Sequence, residues 1–133
     1  MLKKLLALPV AIALSSCSST PADLEAKTKA ETVSYAENYQ EIYRRVFSVA
    51  SRCGTGNINA YASFDLDAQL YSELGYGELT MSLSNLGTRN YFWKAKIERN
   101  GEGSKMTVNS GNSLAAPKMQ RDVFRWAKGD EKC

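Results

Sequence analysis

Between residues 58 and 108, apolar side chains return at every second position, in runs broken by turns rich in glycine and asparagine. A period of two places one set of side chains on one face of an extended strand. Ile58, Ala60, Ala62, Phe64 and Leu66 alternate with Asn59, Tyr61, Ser63 and Asp65, and this strand runs on to about Tyr71. Ser72 to Gly77 reads as a connection, after which Leu79, Met81 and Leu83 define a second strand. Asn85 to Thr88 turns the chain again, and Tyr91, Trp93, Ala95 and Ile97 form the inner face of a third. Asn100-Gly101 is a strong short-hairpin signal, and Met106 and Val108 mark a short fourth strand. Four strands joined by tight turns make an antiparallel meander, and its apolar face needs a cover.

The flanking segments supply one. Tyr39, Ile42, Val46, Val49 or Ala50, and Cys53 recur at spacings of three and four, which is helical. Asn38 followed by Glu41 reads as a capping box, and Gly54 as the residue that closes the helix, which spans about 38–52. After the strands, Pro117 suits a first helical turn, Ala116, Met119, Val123, Trp126 and Ala127 share a stripe, and Gly129 ends it. The order is α-β-β-β-β-α. The fold class is α+β, a four-stranded antiparallel sheet with two helices packed on one face, in a single domain over 34–133.

Ahead of the domain, Lys3 and Lys4 precede an apolar run from Leu5 to Leu14. Ten residues as a helix would rise about 15 Å, half of a bilayer's hydrocarbon core, so the run has the proportions of a secretory leader. It ends in Leu14-Ser15-Ser16-Cys17, which resembles the lipobox of bacterial lipoproteins. The resemblance implies cleavage after Ser16, a signal peptide of residues 1–16, and acylation of Cys17. Ser18 stands where an Asp tends to hold enteric lipoproteins in the inner membrane, which favours the periplasmic side of the outer membrane. Residues 17–33 are small, polar and charged, and read as the lipidated cysteine and a flexible tether.

Assigning Cys17 to lipid leaves Cys53 and Cys133. In an oxidising envelope the two remaining thiols are expected to pair, closing the two helices against each other. The segments Tyr43-Arg44-Arg45-Val46, Cys53-Gly54 and Trp126 to Asp130, with Cys133, also resemble small proteobacterial lipoproteins of unknown function. That resemblance supports the disulfide and the fold, and carries no activity.

Chemistry is sparse. There is no histidine, so no imidazole base or ligand. Lys3 and Lys4 leave with the leader, which brings the 17 basic and 14 acidic residues of the whole chain close to balance and gives no ground for nucleic-acid binding. No metal site or cofactor motif is found. Gly54-Thr55-Gly56-Asn57 follows a helix instead of opening one, so it is a poor phosphate loop. Lys118, Arg121, Arg125 and Lys128 share a helix stripe that could face lipid phosphates or an anionic envelope polymer, against the plainer account of a solvated face. Asp65 and Asp67 share a strand face, and acids such as these or Glu78 would have to carry any polymer hydrolysis. Seven tyrosines and two tryptophans could line a ligand groove between sheet and helices, against the plainer account of core packing. The leading expectation is a non-enzymatic envelope lipoprotein, an interaction or accessory module whose partners are the bilayer and an envelope protein or polymer. The alternative is a binding module for a small apolar ligand or cell-wall fragment. A hydrolase ranks third.

Overall fold

A computed structural model describes residues 20–111 and 114–133. The leader and Cys17 lie outside the described residues. Nine elements follow in order: α1 Pro21–Lys27, β1 Ala30–Tyr35, α2 Tyr39–Gly54, β2 Gly56–Asn59, β3 Ala62–Tyr71, β4 Tyr76–Asn85, β5 Thr88–Asn100, β6 Gly103–Ser110 and α3 Ala116–Ala127. The strands form one antiparallel sheet ordered β1-β6-β5-β4-β3-β2.

The four-stranded meander is therefore the middle of a six-stranded sheet, β3 to β6, and two helices become three. The first expected strand is in fact two. Asn59 accepts a hydrogen bond from the Tyr61 amide at 2.8 Å, and this turn folds β2 back on β3. The segment expected as a flexible tether carries α1 and most of β1. β1 adds to β6 from Ala30 opposite Asn109 to Tyr35 opposite Ser104. Its side chains are mostly exposed, so it is held by backbone pairing and leaves little apolar pattern in the sequence.

α2 links the two outer strands. Its 16 residues span about 24 Å at ~1.5 Å per residue. Five strand spacings of ~4.8 Å come to about the same length. One helix thus reaches from edge to edge across the sheet. Asn38 caps it by accepting from the Gln40 amide at 2.8 Å, while Glu41 turns to Arg44 and Arg45, so no reciprocal capping box forms. The helix runs through Gly54 instead of ending before it.

Tyr39, Ile42, Val46, Val49 and Ala50 of α2 and Val123, Trp126 and Ala127 of α3 are buried against Leu79, Met81, Trp93, Ala95, Ile97, Met106 and Val108 of the sheet. Each fully buried aliphatic chain here stabilises the fold by about 1.5–3 kcal/mol. Arg45 ties the two helices, donating to the Ala127 carbonyl at 3.1 Å and so satisfying an end group of α3. A bulge shifts the inner face of β5. Met81 lies opposite Trp93, but Ser82 lies opposite Tyr91, which leaves Phe92 as the extra residue. Phe92 turns inward, its ring 5.6 Å from that of Phe64, and Tyr91 moves to the far face with Ser82, contrary to simple alternation.

α1 covers part of that far face. Lys94 lies between the inward Trp93 and Ala95, so it points away from α2 and α3, and it bonds Glu25 of α1. Thr20 caps α1 by accepting from the Asp23 amide at 3.0 Å, and Leu24 is the buried side chain that seats it. Among the described residues, no helix is long and apolar enough to cross a membrane.

Candidate functional site

Where α2 ends and α3 begins, the helices leave an apolar crevice of about 270 Å³ over the sheet. Its floor is Phe64, Met81 and Trp93, from three neighbouring strands. Met119 and Trp126 of α3 form one wall, and Gly54 with the Cys53–Cys133 disulfide forms the other. Gly54 matters through close approach: a Cβ built there would lie 2.6 Å from Met81 Cε. A larger residue there would require the Met81 methyl to swing aside and so would reshape the floor of the crevice.

The expected disulfide is present, with Cα atoms 5.3 Å apart. Three further ties hold the tail that carries Cys133. Trp126 Nε1 donates to the Lys132 carbonyl at 3.1 Å, Arg52 donates to the Glu131 carbonyl, and Arg125 bonds Asp130 at 2.9 Å. The hydrogen bond from Arg125, joined by the Lys132 backbone amide, holds the Asp130 carboxyl below its ordinary range.

The mouth is polar. Lys118 reaches Asp122 at 2.6 Å and Arg125 reaches it at 3.1 Å. Burial opposes ionisation of Asp122, but these hydrogen bonds outweigh it and keep its pKa lowered. The expected basic stripe is thus divided. Lys118 and Arg125 are paired with carboxylates, while Arg121 and Lys128 are exposed and make no ion pair among the described residues.

The three acids singled out for hydrolysis lie elsewhere. Asp65 and Asp67 sit on the far face, opposite Ser82 and Thr80, with Arg89 at 3.9 and 3.5 Å. Ser84 donates to Asp65 at 2.7 Å. Glu78 is 3.4 Å from Lys94. None of the three lines the crevice. No group of three or more potential metal ligands occurs among the described residues.

Phe64, Trp93, Trp126 and Met119 were legible as inward positions, whereas their convergence on one hollow was not. The hollow lies beside the disulfide that joins the end of α2 to the tail after α3.

Fold and crevice together define a disulfide-closed α+β domain, with a six-stranded antiparallel sheet between helices. No family model and no curated protein matches the sequence. Among solved structures, the crystal structure of Ara h 8.0201 is similar, with a TM-score of 0.46 and 12% identity over 77% of this chain and 94% of that one.

Proposed function

We propose that the chain is a bacterial envelope lipoprotein, anchored through an acylated Cys17, whose folded domain is a non-enzymatic module that binds a small apolar molecule. The crevice is the observation that carries this reading. Five apolar side chains converge on it, and charged groups are confined to its mouth. Binding sites for small molecules have this make-up, mostly apolar with a few placed polar groups. Its volume suits one aromatic ring system or a short acyl segment. The lack of any histidine and the engagement of Asp65 and Asp67 by Arg89 favour binding over catalysis. Ser18 in place of an Asp favours the periplasmic side of the outer membrane.

Anilinonaphthalene sulfonate serves as the probe. Trp93 and Trp126 line the crevice, so bound dye should show energy transfer from tryptophan. Ala115 is an exposed residue at the mouth, and Ala115→Phe should plug the crevice without loss of fold. The expected result is at least tenfold weaker dye binding in Ala115→Phe. Equal binding by both forms would refute the ligand site. The anchor has its own test. Globomycin should cause the unprocessed precursor to accumulate, and Cys17→Ser should free the domain from membranes. Normal processing together with retained membrane association would overturn it.

A further inference from the structure

β3 is ten residues long, but β2 pairs only with its first three, Ala62 to Phe64. From Asp65 to Tyr71 it pairs, among the described residues, with β4 alone. One side of its backbone is therefore open over seven residues, about 20–24 Å of strand. Exposed edges of this kind are templates for another strand.

The two faces of the edge differ. On the helix side, Leu70 is 45% exposed and Phe47 of α2 is 40% exposed. Tyr43 bridges them. Its ring and Leu70 Cδ1 both lie over Gly77, where a Cβ would meet them at 2.5 and 3.1 Å, and Phe47 stacks on it with ring centres 6.1 Å apart. These side chains form an apolar strip that leads from Leu70 on the open edge strand onto α2. On the far side, Asp65 and Asp67 share the single guanidinium of Arg89, which leaves one negative charge unbalanced.

We propose that residues 65–71 are the docking site for an extended segment of a partner protein, added antiparallel or parallel as a seventh strand. Its alternate residues are apolar, to cover Leu70 and Phe47, and those between them include lysine or arginine, to meet Asp65 and Asp67. A second copy of this chain fits less well, because it would bring the same carboxylates towards each other across the new ladder. The proposal goes beyond the crevice and the lipid anchor, and depends on neither.

The test uses the whole chain and three blocked octapeptides. One alternates valine and lysine, one alternates valine and glutamate, and the third is the lysine peptide with alternate amides N-methylated. Amide exchange and fluorescence anisotropy are the readouts. The lysine peptide should slow exchange across 65–71 and bind at least tenfold more tightly than the glutamate peptide, and the N-methylated form should lose that binding. Leu70→Ser and Phe47→Ser alter exposed side chains and should each weaken binding severalfold. No protection at millimolar peptide, protection mapped elsewhere, or equal binding of the two charge types would overturn the proposal. So would protection of 65–71 that rises with protein concentration alone, which would make the occupant a second copy.

Discussion

Replacing both bridging cysteines, as Cys53→Ala with Cys133→Ala, should cost about 4.5 kcal/mol of stability. The bond spans a separation of 80 residues. In the chain-entropy account, closing a ring of that size removes about 15 cal/mol/K from the unfolded ensemble, hence the figure at 25 °C. The native side should change little. Trp126 still holds the Lys132 carbonyl, Arg52 the Glu131 carbonyl and Arg125 the Asp130 carboxylate, so the tail stays where it is. A domain of this size has roughly 5–15 kcal/mol in total, so the loss is a large share. Urea unfolding followed by tryptophan fluorescence reads it directly, since Trp93 and Trp126 are 2% and 6% exposed in the native state. Two changes are expected together: a lower midpoint, and a steeper denaturant dependence because the uncrosslinked unfolded chain exposes more surface. A loss under about 2 kcal/mol with an unchanged slope would show that the bond does not act through the unfolded chain.

Gly77→Ala should destabilise by about 1–3 kcal/mol, because its Cβ would lie 2.5 Å from Tyr43 Cδ2. Gly77→Ala should cost less in a Tyr43→Ala background than in the wild type, and an equal cost in both would exclude the ring as the cause. Tyr35 is pushed up to about 12 by burial, with Glu37 and Glu31 adding to it. A raised pKa means that its contribution is complete below the ordinary value of 10.0 and is lost as pH climbs from there through about 12. Its buried hydroxyl has no hydrogen-bond partner among the described residues, so Tyr35→Phe should leave neutral-pH stability equal or higher and flatten the alkaline limb of denaturation midpoints. Glu41 is drawn down to about 2, first by its hydrogen bond from Arg44 and, against some desolvation, by that from Arg45. Its contribution is present above the ordinary 4.5 and disappears as pH falls through about 2, so Glu41→Gln should flatten the acid limb.

The parts of the fold legible in the sequence are those whose burial is periodic. β3 to β6 show one apolar face, and α2 and α3 show stripes, so both pattern types mark the same core. β1 lies at one sheet edge with mostly exposed side chains, and a strand held by backbone bonds alone leaves no alternation to find. β2 was hidden differently: the alternation from Ile58 to Leu66 runs straight through the turn that separates it from β3. α1 did leave a signal. Thr20, Pro21 and Asp23 are cap, first-turn proline and acidic first turn, but a single buried Leu24 gives no stripe. The bulge at Phe92 is invisible for another reason. Tyr91, Phe92 and Trp93 are all aromatic, so the sequence cannot say which of them breaks step. The crevice depended on how residues from three strands, two helices and the tail converge, which no local pattern encodes, whereas the disulfide beside it followed from sorting the cysteines.

Thr20 already caps α1, so only Ser18 and Ser19 stand between Cys17 and the folded domain. Three residue steps of extended chain cover about 10 Å at most. With Cys17 acylated as proposed, the domain would rest against the headgroups like a limpet and would have no leash on which to wander. It could meet only partners and ligands that come to the bilayer surface, and it could not search the depth of the periplasm. Lengthening Ser18-Ser19 would then be a way to change its reach while leaving every contact within the domain intact.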